Sequence, residues 1–544
     1  MKPPVHLAAM LLGMVAAMPA RAQSGETRNP LAQLERAWLE LRTLDDQLRL
    51  TRDLGALASP RGVSLDSLLA ELRRGRNRVR ALLARVPRAD LPPGDAAAVR
   101  FLSGALEQVD ADSAPEEASS EPTDCGDPFP ERLRHVALDS LTAHTFACYG
   151  AAARRIIVDQ DTLDRLSILG LLGRTEDSAR RRRLFLALLP VWRSVNGDDS
   201  SASPYRAMVR LRSQERAGRE SPMAERARAL GVPPDSVESW LVAVLRAWRR
   251  TLPDTLVEPW DFYYRNGEAS RLLSPRIPLD SLRPLAIRFY AALGANLNQL
   301  RVHFDLVPRP GKYPISFTDF GARDPVEPWI FTSYRIGGLD NLAELLHEAG
   351  HAIHIAAIRT RGAYVDWPDS DTFTEAVADL AALDVYEPEW QRGALGVAAP
   401  LESSLRDKYS GIVLDVAWAL FEIRAQRSPE QSPNQIWTQI TRDYLGIRPH
   451  AEWAWWAMRG QLVGNPGYML NYALGAILIA DLRATAIAKH GSFATGDRSW
   501  YGWIAPRLYR FGREVPARVV VRRFLGRGIS IRPILQDLAR GAKH

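Results

Sequence analysis

Two histidines separated by three residues, His347 and His351, flank a glutamate in the segment His-Glu-Ala-Gly-His. On a helix, residues four positions apart leave the same face, so both imidazoles can reach one metal ion. Neutral histidine nitrogens bind Zn²⁺ at about 2.0–2.1 Å, and Glu348 is placed to take a proton from a water beside the metal. This spacing predicts one Zn²⁺ per chain, with both histidines as ligands and Glu348 as general base. The alternative is a pair of surface histidines on an amphipathic helix.

A catalytic zinc site needs a third protein ligand and an open coordination position. The candidate is Glu375, which begins a second helical pattern in the segment Thr-Phe-Thr-Glu-Ala-Val-Ala-Asp. Asp379 follows one turn later, where its carboxylate can accept the N–H of a ligand histidine and fix the tautomer of that ring. Glu375 also has a purely structural explanation, because Thr372 and Glu375 match the spacing of a capping box at a helix N-terminus.

The elements that must position these side chains are mostly helical. Asp340 follows two glycines and is predicted to cap the helix that carries the histidines. Short aromatic or β-branched runs at residues 302–307, 315–320 and 329–334 are split by proline and glycine, which predicts a small β-sheet. Helical spacing resumes after residue 338. We therefore expect a mainly α fold with a small sheet beside the active-site helix.

The chain is predicted to divide at residues 110–130, an acidic stretch with Ser, Pro and Gly and little apolar content. This linker would separate an N-terminal helical region, residues 23–109, from a helical domain at residues 131–544. The only two cysteines, Cys125 and Cys148, exclude a disulfide-rich scaffold and a four-cysteine metal site. A disulfide between them would stabilise the fold by about 3 kcal/mol. Two buried free thiols are the alternative.

Residues 1–22 have the pattern of a signal peptide. Lys2 provides the positive start, residues 7–18 form a short apolar run, and Ala-Arg-Ala at residues 20–22 is a cleavage site. We therefore expect a protein exported to the periplasm or beyond, with no membrane attachment after cleavage. An N-terminal anchor that is never cleaved is the alternative.

Composition limits the remaining classes. The 544 residues are 46% hydrophobic and 24% charged, which is typical of a globular protein. The net charge is +7, but arginines occur along the whole chain and 63 acidic residues are interleaved with them. This favours a solvated surface over a nucleic-acid partner. The phosphate-binding loop, the dinucleotide fingerprint and the serine nucleophile elbow are not found.

The metal-binding segments resemble the zinc peptidases in which an H-E-x-x-H motif is followed by a glutamate ligand. The spacing to Glu375 and its Glu-Ala-x-x-Asp continuation resemble the angiotensin-converting-enzyme family. Pro-Trp-Asp-Phe-Tyr-Tyr at residues 259–264 and Pro-Gly-Lys at residues 310–312 resemble the thimet oligopeptidase and oligoendopeptidase family. This resemblance implies a two-lobed helical zincin with a deep channel that admits short, unfolded peptides. The first hundred residues resemble neither family.

The resemblance also suggests residues opposite the metal. Gly-Tyr-Met-Leu-Asn-Tyr at residues 467–472 resembles a tyrosine-bearing helix, so Tyr468 or Tyr472 would donate a hydrogen bond to the oxyanion of the tetrahedral intermediate. The chain departs from the oligopeptidase pattern here. Val463 stands near the position of a family histidine, and Gly475 stands where that family has a further tyrosine.

Alignment with the converting-enzyme pattern places the family histidine on Gln461 and its carboxylate-binding lysine on Arg459. Gln461 could still donate a hydrogen bond, and Arg459 could hold the C-terminal carboxylate of a substrate. The missing histidine leaves a weakened activity open.

The sequence thus predicts an exported zinc metallopeptidase acting on short peptides. An extended substrate is expected to pair with a free edge of the strand at residues 329–334. Two alternatives stay open, namely peptidyl-dipeptidase or carboxypeptidase specificity, and a catalytically weakened zinc-bearing protein that only binds peptides.

Overall fold

The computed structural model of the protein describes residues 29–52, 65–89, 91–111, 125, 137–215, 220–309, 312 and 316–541. The predicted signal peptide lies outside these residues, as does nearly all of the predicted linker. Helices dominate the described chain, and strands are few and short. The predicted fold class, mainly α with a small sheet, is confirmed.

Three helices at the start of the described chain share a hydrophobic core of their own. They are α1 (Pro30–Arg52), α2 (Leu65–Arg85) and α3 (Pro93–Ala111). Leucines at helical spacing on α1 and α2 build this core, as the sequence pattern of that region predicts.

A much larger core joins the rest of the molecule. Its helices before the sheet are α4 (Leu138–Arg154), α5 (Arg165–Arg174), α6 (Ser178–Leu186), α7 (Leu189–Asn196), α8 (Pro204–Glu215), α9 (Pro222–Ala229), α10 (Val237–Arg249), α11 (Phe262–Asn266), α12 (Glu268–Leu273) and α13 (Leu282–Ala292). A short antiparallel hairpin of β1 (Ile156–Val158) and β2 (Asp161–Leu163) follows α4.

The helices after the sheet hold the candidate site and the C-terminal part of the core. They are α14 (Leu339–Ala357), α15 (Asp371–Ala382), α16 (Pro388–Leu395), α17 (Leu401–Arg427), α18 (Pro433–Ile440), α19 (Gln461–Gly464), α20 (Met469–His490), α21 (Trp500–Ile504), α22 (Ala517–Leu525) and α23 (Arg532–Ala539). Among described helices, α20 alone is long and apolar enough to cross a membrane, and 72% of its apolar window is buried inside the protein.

A three-stranded sheet precedes α14, with strands β3 (His303–Asp305), β4 (Phe317–Arg323) and β5 (Val326–Phe331). Strand β5 is the middle strand, parallel to β3 and antiparallel to β4. The expectation that residues 329–334 offer a free edge is therefore wrong, because both sides of β5 are paired. Strand β4 is the edge strand beside α14, as its Thr318 contacts the α14 residue Glu348.

Helix α1 covers the far end of the β4 edge. The side chain of Gln47 donates to the carbonyl of Gly321, and the amide of Arg323 donates to the hydroxyl of Thr43. The Arg323 guanidinium pairs with Asp46 at 2.7 Å, and both side chains are almost completely buried. These contacts attach the N-terminal helices to the sheet that neighbours the candidate site.

Cys125 and Cys148 are disulfide-bonded, which confirms the predicted pairing. The bond attaches Cys125 to helix α4, where Cys148 is buried.

Candidate metal centre

Helix α14 carries both histidines of the motif. It begins at Leu339, and Gly338 occupies the N-cap position with a φ of 110° and no side-chain cap. Asp340 is therefore not the cap that the sequence predicts. Its carboxylate instead accepts a hydrogen bond from the Ser270 hydroxyl on α12 at 2.5 Å, so it serves to attach this helix start to α12.

The glycine inside the motif allows the two site helices to approach closely. A Cβ atom built on Gly350 would lie 2.0 Å from the backbone oxygen of Ala378, far inside contact distance. Ala378 lies on α15 between Glu375 and Asp379. A residue without a side chain at position 350 thus lets the main chain of α15 come near enough to present its carboxylates to the histidines.

Glu375 does not serve as a capping residue. Helix α15 is capped by Ser370, whose side chain accepts from the amide of Phe373, so Glu375 stands beyond the first turn. The hydroxyl of Thr372 donates to the side-chain oxygen of Asn471 at 2.7 Å. The capping-box explanation for Glu375 is wrong, and its carboxylate is free to face the histidines.

His347, His351 and Glu375 converge. One ligand atom from each lies within 4.8 Å of the others. A carboxylate oxygen of Glu375 is 3.4 Å from Nε2 of His347 and 3.9 Å from Nε2 of His351. Ligand atoms around a tetrahedral zinc are about 3.3–3.5 Å apart, as its bond lengths of about 2.0–2.2 Å require. The two nitrogens and one carboxylate oxygen therefore fit a metal ion of this type.

Hydrogen bonding sets the orientation of the first histidine. Nδ1 of His347 lies 2.8 Å from a carboxylate oxygen of Asp379. This leaves Nε2 facing Glu375. Burial lowers the pKa of His347, but the charges of Asp379 and Glu375 outweigh that effect and raise it well above its usual value. The hydrogen bond between His347 and Asp379 is the contact that the sequence predicted for Asp379.

The other two candidate ligands are in protonation states that can bind a metal. Burial alone would raise the pKa of Glu375, but the hydrogen bond from His347 and the charges of both histidines lower it to about 2. Burial, followed by the charge of His347, lowers the pKa of His351 to about 4. Glu375 is thus an anion and His351 a neutral imidazole near pH 7, as metal ligation requires.

Glu348 lies beside this group in a dry environment. Its side chain is buried, and burial raises its pKa to about 7 against the opposing effects of His347 and Thr318. The Thr318 hydroxyl lies 2.7 Å from a carboxylate oxygen of Glu348. Sequence reasoning missed Thr318, because a contact between strand β4 and helix α14 leaves no local sequence signal.

The aromatic side chain of Trp367, which no sequence motif pointed to, packs against His351. The ring of Trp367 lies 5.6 Å from that of His351, and its indole nitrogen donates to Asp319 on β4 at 3.1 Å. His354, one turn further along α14, is completely buried and lies 5.7 Å from Trp367. It is not part of the converging group.

Tyr468 and Tyr472 lie near the third ligand, with their ring centres 5.4 Å apart. Burial raises the pKa of Tyr472, and the charge of Glu375 adds to the increase. Burial raises the pKa of Tyr468 as well, and the neighbouring Tyr472 and the charge of Glu375 add to this increase. The Gln461 side chain opposes the rise in the pKa of Tyr472, and the Arg226 guanidinium lies 5.4 Å from the Tyr468 ring. Arg226 lies on α9, and nothing in the motifs pointed to it.

Arg459 is held by protein groups. Its guanidinium forms a short ion pair with Asp415, stacks 4.6 Å above Trp418 and lies 5.9 Å from the Tyr472 ring. A substrate carboxylate at Arg459 would therefore compete with Asp415.

Comparison with solved structures identifies the fold of this chain. No protein-family model matches the sequence, and no curated protein matches it. A crystal structure of an M32 carboxypeptidase from Deinococcus radiodurans R1 aligns over 93% of this chain and 97% of its own, with a TM-score of 0.53 and 16% identity. Trypanosoma cruzi metallocarboxypeptidase 1 aligns over 95% and 99%, with a TM-score of 0.53 and 14% identity. The chain shares the fold of these metallocarboxypeptidases.

Neither neighbour is described as a thimet oligopeptidase or a converting enzyme. The predicted resemblance to those two families therefore stays a prediction. The mainly helical fold, which both the sequence pattern and the resemblance predicted, agrees with both neighbours.

Proposed function

We propose that this protein is an exported zinc metallopeptidase that cleaves short peptides, and that it acts as a carboxypeptidase. One observation carries the proposal. Two imidazoles and a carboxylate converge within 4.8 Å beside Glu348, a buried glutamate whose pKa is raised to about 7.

In this proposal His347, His351 and Glu375 hold Zn²⁺. When bound, the metal would supply Lewis-acid polarisation of the scissile carbonyl and would acidify a water. Glu348 accepts a proton from the attacking water and returns it to the leaving amine. A pKa of about 7 suits both directions of transfer near neutral pH. The Thr318 hydroxyl keeps this carboxylate in position, and Asp379 keeps Nε2 of His347 directed at the metal position.

Tyr468 and Tyr472 are proposed as hydrogen-bond donors to the developing oxyanion. Raised pKa values keep both phenols protonated at neutral pH, so each retains a proton to donate. Gln461, whose side chain opposes the rise in the pKa of Tyr472, is proposed to take over part of the role that the resemblance gives to a histidine.

The peptide is proposed to lie along the near end of β4. This strand is at the edge of the sheet, and Thr318 contacts Glu348 there. An extended substrate can add to such an edge by main-chain hydrogen bonds. Because α1 covers the far end at Gly321 and Arg323, only a short stretch of edge is offered, which suits a short peptide.

Carboxypeptidase action is preferred to endopeptidase action because both structural neighbours are described as carboxypeptidases. Arg459 remains the proposed carboxylate-binding residue, in exchange with Asp415. Export is supported by the disulfide between Cys125 and Cys148, since such bonds persist in oxidising compartments.

The test compares wild type with Glu348→Gln. We expect both proteins to bind one zinc per chain by elemental analysis, because Glu348 is not a ligand. Cleavage of a mixed peptide library should fall by about 10²–10⁴-fold in the variant. Equal cleavage by both proteins would instead favour a zinc-bearing protein that only binds peptides. Release of single C-terminal residues would establish carboxypeptidase action, dipeptides would indicate a peptidyl-dipeptidase, and internal fragments an endopeptidase.

A further inference from the structure

The segment near the C-terminus carries a large excess of positive charge. Residues 498–541 contain ten arginines and only two carboxylates, Glu514 and Asp537. The interleaving of acidic and basic residues that the sequence suggested therefore fails in this part of the chain. The net charge of this segment alone is comparable to that of the whole protein, +7.

Four of these arginines line one cavity of about 800 Å³, here called the arginine pocket: Arg518, Arg522, Arg523 and Arg527. The pocket lies between helix α22 with its following loop and the residues after α9, Leu230 and Gly231. The rest of its lining is apolar side chains and glycine, and no described lining residue is acidic.

Only one of the four guanidinium groups is neutralised. Arg527 forms two hydrogen bonds with the buried carboxylate of Asp481, at 2.6 and 2.7 Å. That carboxylate also accepts from the amide of Ser530 at 2.8 Å, so it is fully used in holding the loop. Within the described part of the chain, Arg518, Arg522 and Arg523 have no carboxylate partner.

Helix electrostatics account for only part of this arrangement. Arg522 and Arg523 lie in the last turn of α22, where a cation is favoured by the helix dipole. Arg518 lies in the first turn, where a cation is disfavoured, and it is one turn from Arg522, a spacing at which like charges repel. A ligand that carries negative charge into the pocket would offset both effects.

We propose that the arginine pocket binds a phosphate-bearing ligand. Guanidinium groups match phosphate oxygens by paired hydrogen bonds, and several around one site favour a doubly charged anion over a single carboxylate. The apolar lining, which includes Val519 and Ile529, leaves room for the organic part of such a ligand. A free phosphate compound and a lipid headgroup share this chemistry. The pocket shares no residue with the metal centre.

The test uses the full mature chain and a double variant, Arg518→Gln with Arg522→Gln. Arg527 is left intact because it holds Asp481. The matched control is Arg73→Gln with Arg74→Gln, which removes the same charge from two exposed arginines on α2. Calorimetric titration with inorganic pyrophosphate at fixed ionic strength should show binding by wild type and control. Binding by the double variant should be weaker by about tenfold or more.

Sedimentation with vesicles distinguishes the two sources of phosphate. Binding to phosphatidylglycerol vesicles but not to phosphatidylcholine vesicles, lost in the double variant, assigns a headgroup. Pyrophosphate binding without vesicle binding assigns a soluble phosphate. The proposal is wrong if wild type does not bind pyrophosphate at millimolar concentration, or if the control loses as much affinity as the double variant. An unchanged thermal melting curve verifies that each variant is folded.

Discussion

Asp379 is the residue on which the orientation of the metal centre depends most directly. Its carboxylate accepts the Nδ1 proton of His347 at 2.8 Å, and this leaves Nε2 as the lone pair for a metal. Without that acceptor, the imidazole ring can rotate and the other tautomer becomes accessible.

We therefore expect Asp379→Asn to weaken zinc affinity by about 10–100-fold. Competition with a chelator of known affinity measures this change. Asp371→Asn is the matched control, because Asp371 lies on the same helix and is 63% exposed. Equal affinities for wild type and Asp379→Asn would show that the hydrogen bond does not orient the ligand.

At this scale the sequence predicted which side chains come together where the spacing is local. His347, Glu348 and His351 share one helix, and Glu375 and Asp379 share another, so helical periodicity alone groups them. The partners that come from other elements, such as Thr318, were not predictable. Their contacts depend on how a strand is seated against a helix, and no short-range pattern encodes that.

The candidate site forms only if helices α14 and α15 lie in close contact. Position 350 tolerates no side chain, since a Cβ there would lie 2.0 Å from the carbonyl oxygen of Ala378. The contact is with backbone, so the strain cannot be relieved by rotating a side chain.

We expect Gly350→Ala to lower the free energy of unfolding by on the order of 3 kcal/mol and to reduce zinc affinity by separating the ligands. Urea denaturation and zinc analysis measure the two effects. Gly411→Ala, on α17, is the control, because a Cβ there meets nothing within 4 Å. It should be neutral or stabilising by up to about 1 kcal/mol. A stable, zinc-replete Gly350→Ala protein would contradict this account.

Strand order could not be obtained from the sequence. Three short runs predicted a sheet, but they did not show that β5, the last strand in the chain, lies between β3 and β4. The helix caps were also misjudged at Asp340 and Thr372, because several polar residues near each helix start satisfied the same pattern.

The stability of the whole molecule should depend on pH through two neighbouring carboxyl groups, Asp407 and Asp340, which share Ser270 as a hydrogen-bond donor. Asp407 accepts from the Ser270 amide at 2.6 Å, and Asp340 accepts from the Ser270 hydroxyl at 2.5 Å. Burial, followed by the charge of Asp340, raises the pKa of Asp407 to about 7. The folded protein thus retains a proton that the unfolded chain releases near pH 4.

Because the folded state binds more protons in this window, stability falls as pH rises from about 4 to 7. Asp407→Asn removes this dependence, so the variant should gain stability relative to wild type by at most about 1.4 kcal/mol per pH unit. Urea denaturation at several pH values measures the difference. Asp280 is exposed, so Asp280→Asn is the control. Its stability should change with pH in the same way as that of wild type. If the difference in stability between Asp407→Asn and wild type is the same at every pH, the raised pKa of Asp407 is disproved.

The attachment of α1 to β4 also has a consequence for how the chain is made. Asp46 and Arg323 are 277 residues apart, so a ribosome needs on the order of tens of seconds to add the second after the first. During that time Leu39, which packs against Phe320 and Ile355 in the finished protein, has no such partners. Helix α1 is thus seated against the sheet only after most of the polypeptide exists, and the nascent chain needs protection from aggregation until then.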